Sequence, residues 1–227
     1  MARSIVPIVL AVLMLLIGVV GYMALKTPAA ASGPTQAMPL ELDSAQTAGA
    51  VAVYEVKPGA SHARFLVDEV LRGSPRTVLG ETNQVAGQIA LNPADPNTTQ
   101  VGTILINART LATDDSMRDR AIRTFILSTD EHEYISFTPA ALSGLPQTAE
   151  RGTAYSFQIV GQLSIRGVTR EVTFDVTVTP ISASELAGTA GATIRYADWN
   201  LIVPDVPFVA GVSDEARLEL EFVAAAA

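Results

Sequence analysis

The sequence predicts an all-β fold, an extended antiparallel β-barrel with one amphipathic α-helix, preceded by an N-terminal transmembrane or signal helix. Three observations carry this expectation. From Val51 onward, apolar and polar residues alternate in short runs punctuated by Gly, Pro, Asn and Asp, the period-two signature of strands with one dry face. One stretch, Thr113 to Thr138, replaces that period with apolar residues three and four apart. Before all of this, Ile5 to Leu25 is an almost unbroken apolar run.

The 227 residues divide into three parts. Residues 1–26 read as a signal anchor or signal peptide. The apolar run, flanked by Arg3 and Lys26, is long enough at helical rise to cross a hydrocarbon core of roughly 30 Å. It exceeds the roughly 7 to 15 apolar residues of an ordinary signal peptide, which favours an uncleaved anchor, with Ala29-Ala30-Ala31 as the alternative cleavage site. The expected location is therefore the cell membrane, single-pass with an extracytoplasmic C-terminal domain. Cleavage near Ala31 would give a secreted or periplasmic protein instead. Residues 27–50, rich in Ala, Pro, Ser, Gly and Thr, read as a flexible linker, because such a composition buries too little surface to offset ordering entropy. Residues 51–227 form the barrel domain.

Within the domain, Val51–Val56 is a strand closed by the turn residues Lys57-Pro58-Gly59, and His62–Val67 is a second. Thr77–Leu91 is long enough for one bent strand or two, with Gly80 and Gly87 as the places to kink. Val101–Ala108 follows the turn Asn92–Asn97. A helix is predicted from Asp115, whose carboxylate suits an N-cap, through Leu127, with Met117, Ala121, Ile122, Phe125 and Ile126 as its apolar face. Tyr134–Thr138 is a strand ended by Pro139. The alternation is cleanest in Tyr155–Ile165 and Val168–Thr179, a hairpin turning at Arg166-Gly167. Gly188–Trp199 and Glu215–Val223 complete the set. So many one-faced strands hide their apolar sides together by curling into a barrel, which removes edges, and a lone helix has a natural place over a barrel opening.

Composition excludes several functions. There is no cysteine, hence no disulfide framework, thiolate metal site or lipidated cysteine. A net charge of −8 argues against nucleic acid. The two histidines, His62 and His132, lack the i, i+4 spacing of a helical metal site, so no metal is expected. Asp114, Asp115 and Asp119 are explained by capping and by ion pairs to Arg118 or Arg123, and no catalytic residues are assigned.

Arg118-Asp119, the segment Gly161-Gln162-Leu163-Ser164-Ile165-Arg166-Gly167-Val168-Thr169-Arg170-Glu171-Val172, and Tyr54 to Phe65 with its Pro-Gly and Ser-His resemble the YceI-like lipid/polyisoprenoid-binding family, over about Val51 to Val223. The sequence departs from the family where Ala121-Ile122 and Asp68-Glu69 stand at positions that commonly carry histidine, which marks a divergent member. The resemblance implies a lipocalin-like barrel whose tunnel holds a long isoprenoid chain or isoprenoid quinone, with no other cofactor. The partners then expected are an isoprenoid-type lipid and, through the N-terminal helix, the membrane; a homodimer is compatible with this pattern. Candidate tunnel residues are Phe65, Val67, Met117, Ile122, Phe125, Phe137, Phe157, Ile159, Phe174 and Trp199, each of which ordinary core packing would also explain. Arg118 and Asp119 are candidates for a polar mouth, although an ion pair locking the helix to neighbouring strands is the preferred explanation. The alternative function is an extracytoplasmic interaction or stress-related module with a filled barrel core and no lipid.

Overall fold

The computed structural model describes residues 27–42, 51–204 and 209–227. The apolar segment Ile5–Leu25 and residues 43–50 of the predicted linker lie outside the described residues. Among the described residues no helix is long and apolar enough to cross a membrane.

The strands are β1 (Ala52–Val56), β2 (His62–Leu71), β3 (Ser74–Thr82), β4 (Val85–Ala86), β5 (Gln88–Leu91), β6 (Gln100–Val101), β7 (Ile104–Asn107), β8 (Tyr134–Ser143), β9 (Tyr155–Ile165), β10 (Val168–Pro180), β11 (Glu185–Arg195), β12 (Val209–Ala210) and β13 (Glu215–Ala226). They form one curled sheet in the order β4-β7-β8-β9-β10-β11-β13-β1-β5-β6, with the β2–β3 hairpin attached to β13. All the ladders among the described residues are antiparallel. β4 and β5 are separated only by Gly87, so one strand contacts β7 through its first half and β1 through its second. The sheet thereby curls back on itself around an apolar interior, and Ile159, Leu163, Ile165, Val172, Val176, Leu186 and Phe222 are buried there.

The β9–β10 hairpin follows the sequence closely. Eleven consecutive pairs run from Val168↔Ile165 to Val178↔Tyr155. Arg166 (φ 50°) and Gly167 (φ 75°) both take the left-handed conformation that a two-residue turn needs to match strand twist. The Tyr54–Phe65 motif also has a structural role. Ser61, fully buried, donates from Oγ to the Val223 carbonyl (3.3 Å) and accepts from the Val223 amide (3.1 Å), tying the β1–β2 turn to β13.

Three elements differ from expectation. β8 does not end at Pro139 but continues to Ser143 across a bulge between Pro139 and Ala141. Proline is tolerated there because the ladder to β7 stops at Phe137, and from Pro139 onward β8 pairs only with β9. The helix is shorter than predicted: α1 covers Ser116–Ala121, with the Asp115 carboxylate accepting from the Met117 and Arg118 amides as expected. The chain then opens into a π-helical turn, Ile122–Ile126, closed by the Leu127 amide on the Ile122 carbonyl. A wider turn advances each residue by less than the roughly 100° of an α-helix, so Phe125 lags outward and Leu127 arrives at the core. Met117 is 82% and Phe125 48% exposed, while Ile122 and Leu127 are buried.

The third difference concerns residues 27–42, predicted as part of a tether, which lie along the domain as a strap. The Ala29 amide donates to Asp130 Oδ1 (2.8 Å) and the Ser32 amide to Glu133 Oε1 (2.7 Å). Arg109 Nη1 donates to the Ala30 carbonyl (3.1 Å), and further along the Leu40 amide donates to Gln88 Oε1 (2.8 Å). Thr35 is 2% exposed. A segment whose large apolar residues are only Met38, Leu40 and Leu42 is held here by side-chain acceptors and by the Arg109 donor, which stand in for a sheet partner and which composition does not reveal.

Glu133 is the centre of that attachment, pairing with Arg109 at 2.8 Å and accepting from Asn107 Nδ2 at 3.0 Å. Burial pushes its carboxyl up, but hydrogen bonds from Ser32 and Asn107 and the charge of Arg109 outweigh this and hold it below its ordinary value of 4.5. A depressed folded-state value contributes stability above the ordinary value and loses it as pH falls through the depressed one. The strap is therefore expected to stay docked at neutral pH and to loosen only below about pH 4.5. A spin label at Gln36, placed as the sole cysteine of the chain, should gain mobility over that acid range; mobility already high at pH 7 would contradict the docking.

Candidate functional site

The curled sheet encloses an apolar cavity of about 200 Å³. Its walls come from alternate residues of the long strands: Phe157, Ile159, Leu163 and Ile165 of β9, Phe174, Val176 and Val178 of β10, Ala190 of β11, and Leu218, Leu220 and Phe222 of β13. Period-two geometry does the positioning, since residues two apart on one strand share a face. Phe137 and Phe174 meet edge to face, centroids 4.9 Å apart at 66°. Toward one end the lining passes to loops, with Pro96, Thr99, Leu145, Pro146 and Ala149. The charged residues in the lining are Arg64 and Glu219, and Arg64 is tied to Glu81 and Glu221.

Aromatic rings in this wall lean over glycines of the neighbouring strand. A Cβ on Gly80 would fall 2.1 Å from the Phe65 ring, and one on Gly188 would fall 2.7 Å from the Phe222 ring and 2.5 Å from the Thr177 carbonyl. Gly161 seats the Phe137 ring in the same way. Glycine lets the ring lie flat against the sheet, leaving the lumen open. Gly80→Ala meets only the far end of the Phe65 side chain, so the ring is expected to swing into the cavity. If the lumen holds an apolar ligand, its retention should fall several-fold with the melting temperature shifted by only a few degrees. Unchanged ligand capacity would show that the ring does not bound the lumen.

Of the residues predicted for the tunnel, Phe65, Phe137, Phe157, Ile159 and Phe174 line this cavity. Trp199 and Ile122 are buried in the surrounding core, and Val67 packs partly buried against it. Phe125 faces outward because of the π turn, and Met117, in the first turn of α1 and five residues before the buried Ile122, points to the opposite side of the helix. Arg118 pairs with Asp114 (2.7 Å) and reaches the buried Glu69 on β2 (3.5 Å), while Asp119 Oδ1 accepts from the Thr113 amide (2.6 Å) and hydroxyl (2.7 Å). Arg118 thus links the helix to β2, and Asp119 ties it to the segment that precedes it. The β13 lining and the loop residues Leu145 and Pro146 were not singled out from sequence. The β13 alternation was readable, but nothing in it separates a lumen-facing leucine from a core one.

The histidines sit apart from one another in chemistry. His62 Nδ1 lies 3.0 Å from Glu81, and His132 rests against Gly167. No group of three or more possible metal-ligating side chains occurs among the described residues.

Solved structures with the same fold include a polyisoprenoid binding domain from Saccharophagus degradans implicated in plant cell wall breakdown (TM-score 0.60, 13% identity, covering 78% of this chain and 99% of that one). BcnA of Burkholderia cenocepacia is similar (TM-score 0.59, 17% identity, 74% and 98% covered), as is the Campylobacter jejuni YceI protein (TM-score 0.52, 15% identity, 65% and 84% covered). A search of curated proteins finds no match. At such identities the likeness establishes the fold alone. The sequence itself supplies the membership: the family model for the YceI-like domain matches residues 54–224, from β1 nearly to the end of β13, so the curled sheet and its apolar cavity belong to a member of the YceI-like family.

Proposed function

We propose that this chain is a non-catalytic, extracytoplasmic carrier that holds a long apolar or amphiphilic lipid, a polyisoprenoid or isoprenoid quinone, inside an extended lipocalin-like barrel. The observation that carries the reading is the cavity, walled by Phe, Leu, Ile and Val from four long strands. Its apolar lining runs from these strands out to Pro96, Leu145 and Pro146 at one end, a path that suits an extended chain. Burial alone supplies the affinity, at about 25 cal/mol per Å² before entropic costs, and no bond need be made or broken. A polyisoprenoid-binding domain among the structures of the same fold supports the choice of ligand.

The same proposal places the domain outside the cytoplasmic membrane, tethered by Ile5–Leu25. Cleavage after Ala31 would remove the contacts of Ala29 with Asp130 and of Ala30 with Arg109 and leave those of Ser32 and Leu40.

Trp199, the one tryptophan, reports on binding because its indole donates to the carbonyl of Leu163, a lining residue (3.0 Å). Titration with a long-chain isoprenoid quinone, whose ring quenches indole fluorescence, should give saturable quenching. Quenching that rises linearly, as for collisions in free solution, would count against the cavity as the binding site.

A further inference from the structure

Among the described residues the wall of the sheet has a seam between β6 and β8. Ile104↔Phe137 is the last β7–β8 pair in that direction, with the Thr103 and Thr138 hydroxyls 3.2 Å apart just beyond it. Past that point β6 pairs only with β5, and β8, carrying its Pro139 bulge, pairs only with β9. A groove fills the seam, walled by Gln100 and Val101 on one side and Pro139, Leu142 and Leu145 on the other, with Leu40 of the strap beside it. Thr99, Val101 and Leu145 line both this groove and the main cavity, so these three residues stand between the seam and the lumen.

Two details indicate what it takes. Thr99 stands at the junction of groove and cavity with its hydroxyl buried and without a hydrogen bond, a cost that is removed if the side chain turns about χ1 to meet a ligand oxygen in the groove. Among the described residues, none of the side chains walling the groove is charged. A phosphate head would be desolvated there without a cationic partner, whereas an alcohol or carbonyl needs only the single hydrogen bond that a hydroxyl can give or accept.

We propose that the seam between β6 and β8 is a head-group subsite and side entrance of the cavity, that it accepts an uncharged oxygen-bearing head such as an alcohol or a quinone carbonyl, and that Leu40 covers it. This rests on the reading of the cavity as an isoprenoid site. Leu40 is positioned to cover the seam because its amide is held by Gln88 and its side chain lies against Gly102, at the gap itself. Opening needs only the strap to lift, with no strand ladder broken.

The test uses the full chain in detergent micelles, with geranylgeraniol, geranylgeranyl phosphate and the hydrocarbon phytane competing in equal amounts and occupancy read by native mass spectrometry. The alcohol is expected to outcompete the phosphate by about tenfold or more. Thr99→Val should narrow the advantage of the alcohol over phytane by roughly three- to tenfold, and Thr99→Ser should restore it. Leu40→Gly should speed exchange of bound alcohol several-fold. Equal or preferred binding of the phosphate, or an alcohol-to-hydrocarbon ratio indifferent to Thr99→Val, overturns the seam as the head-group site. Binding of none of the three overturns the lipid-carrier reading itself, and this proposal with it.

Discussion

Ala190→Phe is expected to lower retention of an apolar ligand roughly ten- to a hundredfold while leaving the folded protein as stable as before, or more so. Ala190 faces the lumen from β11, paired with Val176 on β10 and Leu220 on β13, which line the cavity beside it. A phenyl ring there displaces about two to four methylene-sized pieces of ligand, at about 0.8 kcal/mol each, or about 1.5–3 kcal/mol of binding. The sign of the stability change is the informative part. In a filled core the same substitution overpacks and costs about 1–3 kcal/mol. In a cavity it adds buried apolar surface where there was space. A variant that loses both ligand and stability would place Ala190 in solid core and favour the filled-barrel alternative.

Trp199→Ala is expected to have the largest effect on stability, a loss of about 3–5 kcal/mol. Trp199 ends the turn after β11, is 3% exposed, and joins the core cluster that surrounds the cavity. Its removal leaves a void and deprives the Leu163 carbonyl of the indole donor. Against a typical domain stability of about 5–15 kcal/mol, that loss brings the fold close to its limit, measurable as a shift in the urea midpoint at constant slope. A change under about 1 kcal/mol would mean the ring does not support the core. Sequence reasoning grouped Trp199 with the tunnel residues, because an apolar ring at the end of an alternating run has the same pattern on either side of a cavity wall.

That ambiguity marks what could be read beforehand. Strand faces were legible because alternation is local: Phe157, Ile159, Leu163 and Ile165 face inward together whatever lies opposite. The Arg166-Gly167 turn was legible for the same reason, since two positive φ values in sequence are a property of the turn alone. The N-cap at Asp115 also depends only on near neighbours. The illegible features depend on distant partners. Pro139 reads as a strand end unless one knows that β7 has already stopped beside it. The π turn at Ile122–Ile126 rotates Phe125 outward without any marker in composition. The strap is fixed by Glu133, Arg109, Asp130 and Gln88, all far from it in sequence. Whether the apolar interior is solid or hollow turns on details such as the Phe65 ring lying over Gly80, which only the register of β2 against β3 brings together.

The lipid-carrier account stands most directly on what the protein holds when purified. The full chain, expressed in a bacterium, purified in detergent and extracted with organic solvent, should yield by mass spectrometry a long isoprenoid lipid in near-stoichiometric amount, and Ala190→Phe should yield little of it. A correctly folded protein that carries no such lipid, and takes up neither an isoprenoid alcohol nor a quinone when offered, would contradict the account.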